Sequence, residues 1–424
     1  MIADLKPYAE YKESGLPWLG PVPGHWELRR MKSAVMNVIE QSYDLGPDEV
    51  YVALEHVESW TGKARPQSDS SLFSGQVKRF RKGDVLFGKL RPYLAKVTRI
   101  NKDGVCAGEF FVLRPTDSAV SSSYLEHQLR AKHTIDVING STFGAKMPRA
   151  DWQFCGNLPF LLPPPAEQAA IVRFLDWANG RLERAIRAKR KVIALLNEQK
   201  QAIIHRAVTR GLDPSVPLKP SGIPWLGDIP QHWRVWRLKF VALNIVDCLH
   251  ATPRYSEAGT HPAIRTADIV AGVVLVDQAK KISSSDYARW TTRLQPQEGD
   301  ILYSREGERF GIAACVPAAA QLCISQRMMV FRIATEHCSK FVMWLLNSRS
   351  TYGQALQDVM GATAPHVNIS TIRNYYLALP PKREQEAVVE RIGAETHPIE
   401  VAIDRLKREI ERLREYRTRL IADV

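Results

Sequence analysis

Two stretches of the chain carry apolar residues in alternating steps of four and three. Leu182, Ile186, Lys189, Ile193, Leu196, Lys200, Ile203 and Ala207 keep that rhythm in the first. Ile399, Ile403, Leu406, Ile410, Leu413, Arg417 and Leu420 keep it in the second. Such spacing holds one stripe of a helix against a partner helix, the seam of a coiled coil. The two series superpose position by position at an offset of 217. Two long, equivalent helices are therefore expected to pair with each other. Copies related by duplication commonly pack about a pseudo-two-fold axis, across which equivalent helices run antiparallel. Pro164 and Pro165, and Pro380 and Pro381, stand where each helical stretch begins, a place where a fixed φ and a missing N–H cost little. Gly180 and Pro398 predict a break in each arm into a short and a long segment.

Ahead of each helical stretch the pattern changes. Short β-branched or aromatic runs, such as 84–87, 110–113, 273–276 and 328–333, are broken by Gly, Pro and Ser clusters. These predict strands in a mixed α/β or mostly β module. Residues 211–220 read as a helix stop followed by a linker.

The modules themselves are duplicated. Residues 14–32 read SGLPWLGPVPGHWELRRMK and residues 221–239 read SGIPWLGDIPQHWRVWRLK, with eleven of nineteen positions identical. Residues 161–175, LLPPPAEQAAIVRFL, are matched by residues 378–392, ALPPKREQEAVVERI. Between them Gly83, Asp84, Val85, Leu86 and Phe87 match Gly299, Asp300, Ile301, Leu302 and Tyr303. The offset grows from 207 to 216 to 217, so the second copy carries extra residues mostly before its Gly-Asp pair. Solenoid units run only about 20–50 residues, so this is a duplicated domain. The ends are alike and the middles are not, the mark of one scaffold carrying two recognition surfaces. The segments are 1–163 and 221–380 for the modules, 164–210 and 381–424 for the helical arms, and 211–220 for the linker.

Charge narrows the choice of partner. The formal net charge is +13 over 424 residues, which favours a polyanion, nucleic acid or membrane. The opening stretch is polar and no apolar run nears the length of a membrane span. Neither a signal peptide nor a membrane segment is expected. Cys106, Cys155, Cys248, Cys315, Cys323 and Cys338 show no metal spacing and read as reduced thiols, with no metal site expected. There is no phosphate-binding Gly-rich loop. Asn157, Leu158, Pro159 and Phe160 faintly match an amino-methyltransferase motif but lack its first Pro, and a plain strand leading into Pro163 is expected. His25 and His232, beside Trp26 and Trp233, read as structural.

The S-G-[LI]-P-W-L-G-x-[VI]-P-x-H-W openings, the P-P-x-x-E-Q entries to the arms and the basic, apolar arm ends (LLNEQKQAIIHRAVT and RLREYRTRLIADV) together closely resemble the specificity subunit of type I restriction–modification systems. The resemblance runs from about Tyr11 to the end. Gly140, Ser141, Thr142 and Phe143, and Gly361, Ala362 and Thr363, look like that family's module endings. The break at Thr396, His397 and Pro398 departs from its more continuous second helix.

The resemblance implies an α/β (α+β) fold with two duplicated target recognition domains separated by an antiparallel coiled-coil pair of long helices, related by a pseudo-two-fold. Each domain would read one half of a bipartite double-stranded DNA target. The chain would be non-catalytic, carry no cofactor or metal, and act in the cytoplasm without a membrane. It would dock two modification (methyltransferase) subunits, and restriction (translocase/endonuclease) subunits would join the complex. S-adenosylmethionine, ATP and Mg would belong to those partners. The helices would set the spacer: residues 181–209 span about 44 Å at ~1.5 Å per residue, or about 13 base pairs. A self-sufficient DNA-modifying enzyme and a stand-alone architectural DNA binder are the alternatives.

Candidate DNA contacts follow from residue type. Lys89, Arg91 and Tyr93 follow the Gly-Asp strand of the first module, and Arg305 and Arg309 occupy the same loop of the second. Gln326 and Arg327 form a second loop, the counterpart of residues 108–110. Lys146 and Arg149 lie near the first module's end. Arg, Lys and Gln reach guanine or adenine edges, and the cations also reach phosphates. Residues 167–210 carry ten Lys/Arg against four acids, while residues 382–424 balance at ten each, so the excess on the first arm either faces phosphates or forms a solvated coiled-coil flank.

Overall fold

The computed structural model describes residues 8–68, 75–144, 146–307, 309–357 and 366–424. Gly361, Ala362 and Thr363, expected as a module ending, and the first seven residues of the polar opening lie outside them. The chain forms two compact units, residues up to 191 with 406–424, and residues 192–405. Each unit takes a piece of both long helices.

In the first unit an antiparallel sheet runs Val35–Val38, Phe110–Pro115, Val85–Gly88, Val97–Arg99. Its central strands are buried on both faces, and the strand period of two divides their side chains between two cores. Val85, Phe87, Phe111 and Leu113 enter the core under the helices. Leu86, Phe110 and Val112 enter a second core under a sheet ordered Gln41–Ser42, Val77–Phe80, Gly104–Cys106, Val50–Val52. The second unit repeats the plan. Its sheet runs Ala242–Asp247, Met328–Ile333, Ile301–Ser304, Ala313–Cys315. Ile301, Tyr303, Met329 and Phe331 face one core, and Leu302, Met328 and Val330 face the other. Of the stretch 273–276, only Val273–Val274 is a strand, and Val276–Gln278 closes as a 3-10 turn. The strand Pro159–Leu162 pairs with Glu27–Arg30 and leads into Pro163, as expected.

The predicted helices are Pro165–Arg210 and Lys382–Asp423. They pair antiparallel within each unit. In the first unit Glu183 meets Arg417 and, further along, Lys189 meets Glu409, so the partner number falls as the first rises. Leu175, Ala178, Leu420 and Ile421 share one core there. In the second unit Lys200 meets Glu400, and Ile204 and Val208 share a core with Val388 and Ile392. Leu182, Ile186, Ile399, Ile403, Ile410 and Leu420 of the seam are buried.

The breaks expected at Gly180 and Pro398 do not occur; both helices run through them. An interior Gly costs about 1 kcal/mol and an interior Pro about 3 kcal/mol. Burial of flanking side chains offsets this at roughly 1.5–3 kcal/mol each. Ala178 and Leu182 are buried around Gly180, and Ile392, Ile399 and Ile403 around Pro398. The Thr396 hydroxyl donates to the Ile392 carbonyl at 2.8 Å. The end of the expected linker also differs: Leu218–Pro220 is a strand paired with Asp228–Pro230, the counterpart of Tyr11–Glu13 against Pro21–Pro23.

All six cysteines are free, and burial pushes the thiols of Cys106, Cys155, Cys315 and Cys323 up to about 12. No helix among the described residues is long and apolar enough to cross a membrane.

Candidate nucleic-acid interface

The repeated motifs build the frame of each unit. Trp26 donates its indole N–H to Glu167 at 2.9 Å, and His25 lies 2.7 Å from the same carboxylate. Trp233 and His232 do the same with Glu384, at 3.0 and 2.7 Å. The histidines are therefore structural. The neighbouring glutamines are fully buried and tie each helix start to its sheet. The Gln168 amide donates to the Pro163 and Ala119 carbonyls, and its oxygen accepts the Ser121 N–H. Gln385 donates to the Pro380 carbonyl and accepts the Cys338 N–H.

The Gly-Asp pairs anchor the strand that leads to the candidate site. Gly83 and Gly299 sit at φ 96° and 82°, a conformation that favours glycine. Asp84 accepts the Arg81 N–H and is held by the Arg114 guanidinium at 2.7 and 2.6 Å. Asp300 accepts the Gln297 N–H and pairs with Arg332 at 3.0 and 2.7 Å.

Beyond that strand, three segments far apart in sequence meet at one place. In the first unit the Lys89 N–H donates to the Glu109 carbonyl at 2.9 Å, and the Ala150 N–H donates to the Lys89 carbonyl at 2.8 Å. Leu90 bridges to Arg149, and the Arg91 N–H donates to the Pro148 carbonyl at 2.8 Å. So Lys89, Arg91, Arg149 and the neighbouring Lys146, read as two separate groups, belong to one surface. The Arg149 guanidinium holds Glu109 at 3.2 and 3.0 Å. This hydrogen bond, with the charges of Lys89 and Lys78, sets the Glu109 carboxyl below its usual range. The Lys78 ammonium is pushed down by burial and by Lys89, and donates to the Phe110 carbonyl. Tyr93, Phe143 and Met147 are exposed on the same segments. Arg91 and Ala95, flanking Tyr93, hold φ at 51° and 46°, which costs a non-glycine residue about 1 kcal/mol or more.

The second unit repeats the backbone and changes the side chains. The Arg305 N–H donates to the Arg327 carbonyl at 3.0 Å, the Val367 N–H donates to the Arg305 carbonyl at 3.3 Å, and Glu306 bridges to His366. Arg305 thus replaces Lys89, Arg327 replaces Glu109, and His366 replaces Arg149. Arg305 is buried and pairs with Glu306 and, at 3.4 Å, with Asp247. Its Nε has no partner. Arg327 is exposed, at φ 72°, with its Nε 3.9 Å from Glu306. The Thr252 hydroxyl donates to the Gln326 side chain at 3.0 Å. Arg309 stands apart: its guanidinium donates to the Ala267 and Ile269 carbonyls at 3.2 and 2.8 Å.

Asp247, Cys248 and His250 bring three possible metal ligands within 4.8 Å of one another. The Asp247 carboxylate already meets His250 at 2.6 Å, the Cys248 N–H at 3.0 Å and Arg305. Burial raises the Cys248 thiol, which disfavours the thiolate a metal needs. This group is an ion-paired carboxylate.

Sequence reasoning missed the acids. Glu109, Glu306 and Asp247 decide which cations are free. Glu109 was within reach, because residues 108–110 align with the Gln326 and Arg327 loop. Asp247 comes from another strand, and no spacing points to it.

The two units define a duplicated α+β protein with antiparallel paired helices and, in each unit, one polar surface built from equivalent backbone. Residues 245–411 match the profile of the type I restriction modification DNA specificity domain. The chain is 23% identical over 210 residues to the type I restriction enzyme EcoDI specificity subunit of Escherichia coli, a match covering 48% of this chain and 46% of that protein. It is 23% identical over 308 residues to the MjaVIII specificity subunit of Methanocaldococcus jannaschii, covering 71% and 70%. The match to the first relative thus spans about half its length. The fold is similar to a solved structure described as "Structural basis underlying complex assembly and conformational transition of the type I R-M system", with TM-score 0.66, 18% identity, and 94% and 97% of the two chains covered. Over these stretches the chain is similar to type I restriction enzyme specificity subunits.

Proposed function

We propose that this chain is the non-catalytic, sequence-reading subunit of a type I restriction–modification complex. Each unit reads one half of a bipartite DNA duplex through its three-segment surface. The observation that carries this reading is the pair of equivalent surfaces. The same backbone hydrogen bonds present Lys89, Glu109 and Arg149 in one and Arg305, Arg327 and His366 in the other. A scaffold kept while its lining changes suits two different half-sites. The paired helices fix the spacer and dock two methyltransferase subunits. Those partners supply S-adenosylmethionine chemistry, and restriction subunits supply the ATP-driven and Mg-dependent steps.

The test exchanges residues 41–157 for the equivalent part of a relative and maps methylated adenines in a target library. One half-site should change while the other and the spacer stay. Change of both half-sites together would refute independent readers. Insertion of one heptad in each seam, between Ile193 and Ile203 and between Ile410 and Leu420, should lengthen the preferred spacer by about three base pairs, since seven helical residues add about 10 Å. A stable double insertion with an unchanged spacer would refute the helices as the ruler.

A further inference from the structure

Next to the helix pair of the first unit lies a cavity of about 270 Å³ that the nucleic-acid surface does not use. Its lining carries five cations, Lys63, Arg130, Arg184, Arg187 and Arg417, against one carboxylate, Glu183. Glu183 is already engaged, 3.0 Å from Lys63 and 3.6 Å from Arg417. Arg130 is 3% exposed. Its terminal nitrogens reach Glu126 at 3.1 Å and the His127 ring at 3.3 Å, while its Nε has no partner. The Arg417 Nε is likewise buried and unpartnered. Arg184 and Arg187 make no hydrogen bond or ion pair among the described residues. The turn at Gly62 closes over Arg130: a Cβ at Gly62 would come within 1.6 Å of the Arg130 guanidinium. Buried donors without acceptors and an excess of positive charge are both costly unless an anion is present.

The second unit shows that the scaffold does not need this charge. At the offset of 217, the ion pair Glu183–Arg417 recurs as Glu400–Lys200. Arg130, Arg184 and Arg187 do not recur as cations. Arg130 becomes Asn347, whose amide is satisfied by the Ala313 and Met343 carbonyls. Arg184 becomes Val401 and Arg187 becomes Asp404. One helix pair carries a counterpart without the cationic excess, and the other a basic hollow.

We propose that this hollow binds a small phosphate-class oxyanion, with Arg130 and Arg417 donating from within and Arg184 and Arg187 closing the rim. The inference is independent of the nucleic-acid reading above. The experiment is calorimetric titration of the full chain with pyrophosphate. The wild-type chain should bind it. Arg184→Gln with Arg187→Gln, exposed changes that leave the core intact, should weaken binding by about tenfold, the scale of one charge-assisted hydrogen bond. Arg130→Gln should weaken it at least as much where circular dichroism shows the variant folded. Lys200→Gln, at the second unit's counterpart, should leave it unchanged. Absence of binding, or binding indifferent to the rim double variant, would overturn the proposal. Displacement of pyrophosphate by a short DNA duplex would also overturn it, by giving the phosphate a nucleic-acid source.

Discussion

At one equivalent backbone position the first unit holds a half-buried cation, Lys89, and the second a buried one, Arg305. Beside Lys89 the acid Glu109 is held by Arg149, while Arg91, Lys146 and Tyr93 stay exposed. At the equivalent backbone position Arg305 is buried between Asp247 and Glu306, leaving Arg327 exposed. The backbone hydrogen bonds beneath are the same. The comparison separates two constraints. Main-chain bonds and the Asp84–Arg114 and Asp300–Arg332 pairs fix where the segments meet. The acids Glu109, Glu306 and Asp247 then decide which cation is free to reach a partner. Similar loops thus offer different chemistry without any change of fold.

The hardest test of this equivalence is to remove the shared frame. Gln168→Ala and Gln385→Ala each strand buried backbone groups, and each should cost about 3 kcal/mol. Urea unfolding of the full chain should show similar losses for both. A cost in one unit and none in the other would break the equivalence of the two frames.

A smaller effect should appear in recognition. Glu109→Gln removes the charge that fixes Arg149. It should alter methylation preference at one half-site by about ten- to a hundred-fold, the worth of one base contact, and leave the other half-site untouched. Arg327→Ala should do the converse. An effect of either variant on both half-sites would argue against separate surfaces.

Smaller still is a titration. Arg149 and Lys89 lower the Glu109 carboxyl. A depressed folded value means the pair contributes above the unfolded carboxyl range, near ~4.3, and is lost as pH falls through the folded value. Carbon-13 NMR of Glu109 should therefore give a midpoint below ~4.3 that returns toward it in Arg149→Ala. An unshifted wild-type midpoint would mean the pair does not hold in solution.

The least effect is expected at the half-exposed pair Lys189–Glu409. Lys189→Ala should change stability by at most about 1 kcal/mol. A larger loss would give this pair more weight in the seam than a surface ion pair carries.

The sequence by itself was enough for the duplication, the two helices and their pairing. Each rests on a pattern that a linear chain can carry: a period of four and three, a strand period of two, and repeated Trp, His, Glu and Gln whose partners are also repeated. It misjudged Gly180 and Pro398 because local propensity, about 1–3 kcal/mol, was outweighed by the burial of Leu182, Ile392, Ile399 and Ile403. Only the tertiary structure joined Lys89 to Arg149, placed Asp247 beside Arg305, engaged Arg309 with two carbonyls and gathered Arg130 and Arg417 into one hollow. These are pairings between residues tens to hundreds of positions apart. No periodicity encodes them, because the packing of strands and helices, and not the spacing along the chain, brings those charges together.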